Sequence, residues 1–509
     1  MQNQTVLATC SAFILLVIMA GVTLAFPGTT EATSLNEIRK LTASDAAPGD
    51  VFGYSVAVSG DTVVAGARDE DAGGNIAGAA YVFQRDQGGA GSWGEVKKLT
   101  ASDGGAGERF GHRVAVSGDI AIVGAGEGNS FAEAAYVFQR DQGGTDNWGE
   151  VKKLTASDAD PGDRFGVSVA VSGEIAVVGA SNEGFASGTF GPGAAYVFQR
   201  NQGGADNWGE VKKLTASDAQ DNDHVGWSVA VSGDIAIVGA FNEDSAAHAA
   251  GAAYVFQRDQ GGAENWGLVK KLIASDAQSL DAFGWSVALS GHIAVVGARG
   301  EGGHTGAAYV FQRDQGGADN WGEVKKLIAS NAESPDFFGH GVAVSGDVAI
   351  VGAPEEDTGV GNSGAAYEFQ RDAGGADNWG EVKKLTATDA EAGDNLGSSV
   401  AVSGGIAVSG ALFEDAGGDA AGAAYVFDLL VQKPTPTFTI TPTPTDTPTP
   451  RPTLNPVGGI ALDPALRPLP LETVDSDRAH WRIAVAIAAA ASLIGASSVV
   501  WYTRLRSPS

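Results

Sequence analysis

One pattern of apolar and polar positions runs through the chain seven times. In its first copy, four apolar segments alternate with polar turns: EIRKLTA (37–43), FGYSVAVSG (52–60), TVVAGA (62–67) and GAAYVFQR (78–85). Each segment is short, rich in β-branched and aromatic residues and bounded by Gly, Asp or Asn, which is typical of a strand. The pattern therefore predicts four short β-strands in every copy and no helix.

The copies follow one another at intervals of about 58 residues. A Lys/Arg-Lys-Leu phrase marks each copy, and its second basic residue is Lys40, Lys98, Lys153, Lys213, Lys271, Lys326 and Lys384. Four short antiparallel strands at such a period indicate a β-propeller blade. A superhelical solenoid is the alternative, but it needs atypical capping copies at its ends. We therefore predict an all-β fold over residues 35–428, a seven-bladed β-propeller of four-stranded antiparallel blades.

Two dipeptides recur at fixed places in the copies. Phe-Gly stands at 52–53, 110–111, 165–166, 283–284 and 338–339, with Val225-Gly226 and Leu396-Gly397 in the other two copies. Gly-Ala follows at 66–67, 124–125, 179–180, 239–240, 297–298, 352–353 and 410–411. This set resembles the FG-GAP repeat of integrin α-subunit propellers and of many bacterial surface proteins. The resemblance implies that the Phe-Gly strand is innermost in each blade and the Lys-Lys-Leu strand outermost.

That strand order has a consequence for the two ends of the propeller. The outer strand of blade one is then residues 93–100, whereas blade seven (396–427) has no such strand after it. We expect the N-terminal segment 35–42 to pair with the last blade and close the ring. Lysines on an outermost strand protect its edge from association with other strands; a basic ring that binds an anion is the alternative role.

One loop in each copy contains every difference in length. The spacings between copies are 58, 55, 60, 58, 55 and 58 residues, the loops between the second and third strands are 10, 7, 12, 10, 7 and 10, and every difference is 48. The seven loops are residues 68–77, 126–132, 181–192, 241–250, 299–305, 354–363 and 412–421. Loops that vary on a rigid scaffold are where function concentrates.

A second variable position lies two residues after each Phe or its replacement. It is occupied by Tyr54, His112, Val167, Trp227, Trp285, His340 and Ser398. In a propeller, this start of the inner strand and the variable loops lie on one face. We predict that this face binds a ligand through Tyr54, His112, Trp227, Trp285 and His340. In the alternative interpretation, these side chains pack between blades.

The formal charge of −29 argues against nucleic acid as a partner, because its phosphates would be repelled. The acidic loops of the variable face are weak candidates for calcium, with Asp45, Asp50, Asp69 and Asp71 as examples. Integrin-type propellers hold calcium in DxDxDG-like hairpin loops, and the Ser-Gly-Asp turn here is too short to supply six oxygens. The resemblance therefore carries over no calcium site, and we expect no cofactor.

Motifs that carry catalysis are missing from the sequence. The only cysteine, Cys10, lies in the apolar leader, and no G-x-S-x-G elbow, P-loop or zinc-type histidine pair is present. We expect a cell-surface binding or adhesion protein, not an enzyme, with an extracellular protein or glycan as its partner. The alternatives are an extracellular hydrolase or lyase of polysaccharide acting at the same face, and a structural envelope protein.

The two ends predict how the propeller is held at the membrane. Residues 1–25 are largely apolar and read as a signal peptide, with an uncleaved anchor as the alternative. Residues 433–457 form a Pro/Thr-rich linker, and residues 458–482 a polar juxtamembrane segment. The uncharged run 483–502 has the length of a transmembrane helix, with 503–509 as a short cytoplasmic tail. This order predicts a single-pass protein with its propeller outside the cell.

Overall fold

The structure is a computed structural model that describes residues 37–430, apart from 72–74, 127–132, 186–189 and 358–360. The predicted signal peptide (1–25), linker (433–457), juxtamembrane segment (458–482), transmembrane helix (483–502) and tail (503–509) lie outside the described residues. Within residues 37–430 as described, no helix has the length and apolar character needed to cross a membrane.

Twenty-eight strands form seven separate four-stranded antiparallel sheets, the blades. The innermost strands are β2 (Phe52–Ser59), β6 (Arg113–Ser117), β10 (Phe165–Ser172), β14 (Ser228–Ser232), β18 (Phe283–Ser290), β22 (Val342–Ser345) and β26 (Leu396–Ser403). The second strands are β3 (Thr62–Ala67), β7 (Ile120–Ala125), β11 (Ile175–Ala180), β15 (Ile235–Ala240), β19 (Ile293–Ala298), β23 (Val348–Ala353) and β27 (Ile406–Ala411).

The outer half of each blade repeats with the same regularity. The third strands are β4 (Ala79–Arg85), β8 (Ala134–Gln139), β12 (Ala194–Gln199), β16 (Ala252–Gln257), β20 (Ala307–Gln312), β24 (Ala365–Gln370) and β28 (Ala423–Asp428). The outer strands are β1 (Glu37–Leu41), β5 (Trp93–Leu99), β9 (Gly149–Leu154), β13 (Gly209–Leu214), β17 (Gly267–Leu272), β21 (Gly322–Leu327) and β25 (Gly380–Leu385). One four-residue helical turn, Glu301–His304, lies in the loop of blade five and was not predicted.

The N-terminal strand closes the ring. Six blades are built from consecutive strands, whereas the last has the order β26-β27-β28-β1. Strand β1 pairs antiparallel with β28, with Leu41 opposite Ala424 and Lys40 opposite Tyr425. The predicted all-β, seven-bladed propeller of four-stranded antiparallel blades is confirmed, and β1 is its closing strand.

The hydrophobic core lies between the blades, because each sheet is covered on both faces by its neighbours. Second strands are buried along their whole length in six blades and in all but Val348 of β23, which explains their continuous apolar runs such as IAIVGA in β15. One core layer joins Val177 and Val197 of blade three to Tyr254 and Trp266 of blade four. Six tryptophans that open the outer strands are only 1–2% exposed, namely Trp93, Trp148, Trp208, Trp266, Trp321 and Trp379. They therefore pack blade against blade and present no surface to a ligand.

The two glycines of the repeated dipeptides allow neighbouring backbones to touch. A Cβ atom on Gly66 of blade one would lie 2.0 Å from the carbonyl oxygen of Gly111 in blade two. Gly111 itself has φ +92°, and a Cβ there would lie 2.1 Å from the carbonyl oxygen of Ala79. Since neither position can hold a side chain without moving backbone, the Phe-Gly and Gly-Ala motifs are the joint between blades.

A closed ring of hydrogen bonds joins the Ser-Gly turns between the first and second strands. In every blade a serine Oγ accepts a hydrogen bond of 3.0–3.3 Å from the glycine amide of the next blade's turn. The seven serines are Ser59, Ser117, Ser172, Ser232, Ser290, Ser345 and Ser403. The bond from Gly60 to Ser403 links the first blade to the last, so the turn motif closes the ring as β1 does.

Candidate functional site

Each variable residue of the inner strands sits in an irregular step of the backbone. In blade one, Phe52 pairs with Ala67 and Ser55 with Gly66, so that Gly53 and Tyr54 are left in a bulge. The same shift of register occurs in blades three, five and seven. In all seven blades the amide of the variable residue donates to the carbonyl three residues earlier, at 3.1–3.3 Å. Bulges change the direction in which a side chain points, and here they lie at one end of the central channel that the innermost strands surround.

A cavity of about 300 Å³ opens where these residues meet, and inner-strand residues of all seven blades line it. Four of the five predicted contacts are in the lining, namely Tyr54, Trp227, Trp285 and His340. The fifth, His112, is 1% exposed and packs behind Tyr54, with 5.0 Å between the ring centroids. The structure thus brings four predicted residues together at the cavity and places His112 in the packing between blades.

The aromatic side chains form a continuous series over blades four to six. The ring centroids of Trp227 and Trp285 are 4.9 Å apart, and Phe241 contacts both at 5.0 and 5.1 Å. His224 stacks on Phe241 at 5.1 Å, and His340 follows Trp285 at 5.8 Å. These contacts fix the rings against one another, so the series is a preformed wall.

Three arginines lie on aromatic side chains of the cavity lining, one on Trp285 and two on Tyr54. The Cζ atom of Arg299 is 3.3 Å from the ring centroid of Trp285, which is a stacked cation–π geometry. The Cζ atoms of Arg68 and Arg113 lie 3.9 and 5.3 Å from the ring centroid of Tyr54. Burial lowers the pKa of Arg299 to about 10, so its guanidinium stays charged at neutral pH.

His340 lies between these charges as a neutral imidazole. Its Nδ1 is 3.0 Å from the carbonyl oxygen of Ser398, so Nδ1 carries the proton and donates it there. Burial, together with the positive charges of Arg299 and Arg113, lowers the pKa of His340 to about 4. Both guanidiniums therefore act on the same imidazole, although they belong to different blades.

We call this set of side chains the channel mouth: Tyr54, Arg68, Arg113, Trp227, Phe241, Trp285, Arg299 and His340. The sequence predicted its aromatic members but missed Phe241 and the three arginines. A signal for them was present, because Arg113 occupies a position that is Ser or Gly in the other six copies. Arg68, Phe241 and Arg299 each begin a variable loop, where the other copies have Gly, Ser, Pro or Leu.

The four calcium candidates are engaged by the protein's own donors. Asp45 accepts hydrogen bonds from the Tyr81 hydroxyl and the Lys98 ammonium, both at 2.7 Å. Asp50 and Asp71 accept from backbone amides within their own loops, at 2.7 Å each. Asp69 pairs with the guanidiniums of Arg68 and Arg109, at 3.3 Å each. Their carboxylates thus stabilise loop conformations.

In each blade, the second basic residue of the outer-strand phrase, a lysine (Lys40 in blade seven), pairs with one or two carboxylates. Lys98 Nζ lies 2.7 Å from Asp45 and 2.9 Å from Glu70. Burial alone would lower the pKa of Lys98, but its hydrogen bonds to Asp45 and Glu70 outweigh that effect and raise it. We call these clusters the rim network; its lysines are Lys40, Lys98, Lys153, Lys213, Lys271, Lys326 and Lys384, each within 2.5–2.9 Å of a carboxylate.

Metal coordination needs several protein ligands at one point. Among the residues that the structure describes, no group of three or more His, Cys, Asp or Glu side chains has an arrangement that could hold a metal ion. The ammonium groups of the rim network lie where the carboxylates of each blade converge.

The fold is that of a seven-bladed propeller whose four-stranded blades are joined through Phe-Gly and Gly-Ala contacts. Its variable residues lie at one end of the central channel. The sequence profile described as the FG-GAP repeat matches seven segments of the chain, residues 35–83, 93–138, 148–198, 208–256, 266–311, 321–369 and 379–427. The chain belongs to the FG-GAP repeat family, as its motifs indicated. A comparison with curated proteins gives no match.

Proposed function

We propose that this protein is a cell-surface binding protein whose extracellular ligand enters the channel mouth. The observation that carries the proposal is the contrast within the repeat. Positions that build the blades recur from copy to copy, whereas the channel mouth is assembled from positions that differ. Five of its residues line a cavity of about 300 Å³, namely Tyr54, Arg113, Trp227, Trp285 and His340. This volume is at the lower end for small-molecule sites, which suits a small ligand or one residue of a larger one.

Display at the cell surface is the second part of the proposal. It rests on the order of leader (1–25), propeller, Pro/Thr-rich linker (433–457) and apolar run (483–502) in the sequence. A propeller on such a stalk presents the channel mouth to the medium. Protease treatment of intact cells that express the full chain tests this: digestion of the propeller supports display, and protection until lysis contradicts it.

The physical chemistry of the mouth favours binding over polysaccharide hydrolysis. Glycosidases act through two carboxyl groups that flank the scissile bond, and no Asp or Glu is among the described residues that line the cavity. His340, with a pKa of about 4, is a weak base at neutral pH, which also disfavours a lyase that uses it for proton abstraction.

Substitution of the central tryptophans distinguishes ligand contact from packing. We expect Trp227→Ala and Trp285→Ala in the full chain to abolish retention of ligand on a glycan and protein array, while the thermal midpoint falls by only a few degrees. Ile328→Ala, at an exposed residue of the outer edge, is the matched control for loss of apolar surface. Unchanged retention with a large fall in the midpoint would assign these side chains to blade packing.

A further inference from the structure

The channel mouth concentrates positive charge in a protein with a formal charge of −29. Of its three guanidiniums, that of Arg68 pairs with Asp69 at 3.3 Å. Arg113 and Arg299 take part in none of the ion pairs of the described residues, and the carboxylate of Glu355 acts on Arg299 only from beyond ion-pair distance. A partly buried cation normally has an anionic partner, as the lysines of the rim network do. The two guanidiniums are therefore set to receive an anion from outside the chain.

Both guanidiniums are held in place before any ligand arrives. Arg299 lies flat against Trp285 at 3.3 Å, and Arg113 donates from an Nη atom to the carbonyl oxygen of His112 at 3.0 Å. Stacking engages the face of a guanidinium and leaves N–H donors on its edge, which is the geometry that receives a carboxylate. Preorganisation of this kind reduces the entropy lost on binding.

The remainder of the cavity lining offers hydroxyl groups. Five blades each contribute a serine at the same position of the inner strand, namely Ser55, Ser168, Ser228, Ser286 and Ser399. Each of these hydroxyls makes a hydrogen bond with the backbone of a neighbouring blade, and Ser55 and Ser168 are buried. Ser228, Ser286 and Ser399 are partly exposed, and a serine hydroxyl that makes one hydrogen bond retains the capacity for another. The imidazole of His340, with its proton on Nδ1, adds an acceptor at Nε2. These three hydroxyls and the imidazole can bond to hydroxyl groups of a ligand.

We propose that the channel mouth binds a single acidic sugar residue, whose carboxylate is held by Arg113 and Arg299 and whose ring rests on the aromatic wall. The inference rests on the binding function proposed above. A single acidic residue on an otherwise neutral glycan fits better than a polyanion, because the acidic surface would repel an extended series of negative charges. A carboxylate side chain of a peptide lacks the hydroxyl groups that the serine lining complements.

Titration with monosaccharides tests the charge requirement. In ligand-observed NMR with the full chain, we expect glucuronate or galacturonate to bind, and glucose and galactose to bind at least about tenfold more weakly, since each neutral sugar lacks the charge-assisted hydrogen bonds. Uronates that bind no better than their neutral counterparts would overturn the proposal.

Variants taken from the repeat itself locate the site. Arg113→Ser places in blade two the residue found in five other blades, and Arg299→Ser places in blade five the residue found at Ser181 of blade three. Both exchanges are thus compatible with a blade. We expect each to weaken uronate binding about tenfold or more. Arg39→Ser, which removes the same charge from exposed strand β1, should leave it unchanged; loss of binding in this control, or none in the two mouth variants, would overturn the assignment.

Further outcomes distinguish failure of the acidic-sugar proposal from failure of the binding function on which it rests. Tighter binding of N-acetylglutamate amide than of either uronate would assign the site to an acidic peptide and overturn the sugar proposal. An array ligand whose retention needs Trp227 and Trp285 but neither Arg113 nor Arg299 would overturn it too and leave the binding function standing. Absence of any ligand, from array and titration alike, would overturn both.

Discussion

The rim network and the channel mouth differ in what their positively charged side chains contact. In the rim network, each lysine is neutralised by carboxylates of its own blade; Lys271, for example, lies 2.7 Å from Asp218 and 2.9 Å from Glu243. At the channel mouth, the guanidiniums of Arg113 and Arg299 lie on aromatic rings. The lysines of the first region are thus paired within their own blades, whereas Arg113 and Arg299 of the second take part in no ion pair of the described residues.

The comparison shows what sequence repetition means in this fold. A residue that recurs in all seven blades can be explained by contacts that recur, such as the serine ring between the Ser-Gly turns. The residue at the start of the inner strand is held by the same backbone hydrogen bond in every blade, yet five different residue types occupy that position in the seven blades. Since the scaffold accepts several side chains at that point, the contacts that recur from blade to blade do not explain their identity.

The largest effect should come from the joint between blades. Gly111→Ala places a Cβ 2.1 Å from the carbonyl oxygen of Ala79, at φ +92°, and we expect it to cost about 3 kcal/mol or more. Gly60→Ala is the matched control, since φ is +56° there and nothing lies within 4 Å of the added atom. It should cost only about 1 kcal/mol.

Chemical denaturation of the two glycine variants measures the difference. Equal losses of unfolding free energy would mean that backbone conformation alone selects glycine, and that the close contact between blades has little weight. A larger loss of unfolding free energy in Gly111→Ala than in Gly60→Ala would show that the repeated Phe-Gly motif is needed for contact between blades. Residues that recur in every blade would then be explained by the scaffold.

Removal of one cation from each region tests the comparison directly. Lys271→Met leaves Glu243, only 1% exposed, without its cation, and we expect a loss of about 2 kcal/mol. Arg299→Ser removes a stacked cation that makes no ion pair with the described residues and interacts with Glu355 only at longer range, so the loss should be below about 1 kcal/mol. Thermal unfolding of both proteins provides the measurement. A larger loss for Arg299→Ser would mean that the arginine is structural, and the distinction between the two regions would fail.

Much of the fold could be predicted because local and repeated signals carry it. Strand periodicity and the seven marker phrases give the blades, and the missing outer strand after blade seven indicates that the N-terminal segment closes the ring. The variable face followed from loop lengths and from residue differences at one position. These features depend on the order of residues along the chain, which the sequence displays.

The detail of the site depends on directions in space, which repetition does not reveal. Tyr54 and His112 occupy equivalent positions, but one lines the cavity and the other is buried behind it. The acidic loops predicted weak calcium sites, and the structure shows that their carboxylates receive hydrogen bonds from their own backbone and from rim lysines. The place of His112 is set by a contact between blades one and two, and the bond from Lys98 to Asp45 joins two residues of one blade that are 53 positions apart.

Acidification should act in opposite directions on two buried groups, His340 of the channel mouth and Asp223, whose carboxylate interacts with Glu243 and Lys271 of the rim network. Because the two changes partly cancel, the net effect on the parent chain is small. Burial lowers the pKa of His340 from 6.5 to about 4, so its contribution to stability is complete above pH 6.5 and is lost as the pH falls towards 4. At pH 5 that loss amounts to about 2 kcal/mol. Burial raises the pKa of Asp223 from 3.8 to about 6, so its ionisation destabilises the fold at pH 7, and about 1 kcal/mol returns at pH 5.

Two variants isolate these opposing contributions. Between pH 7 and pH 5, His340→Gln should lose less thermal stability than the parent chain, because it has no imidazole to protonate on unfolding. Asp223→Asn should lose more, because the gain from protonating a buried carboxylate is gone, while the hydrogen bond from the Gln220 amide can persist to the amide oxygen. If both variants follow the parent profile, neither group is perturbed by its surroundings. If His340→Gln alone differs, the imidazole at the channel mouth is held neutral, as its contacts with Ser398 and the nearby arginines require.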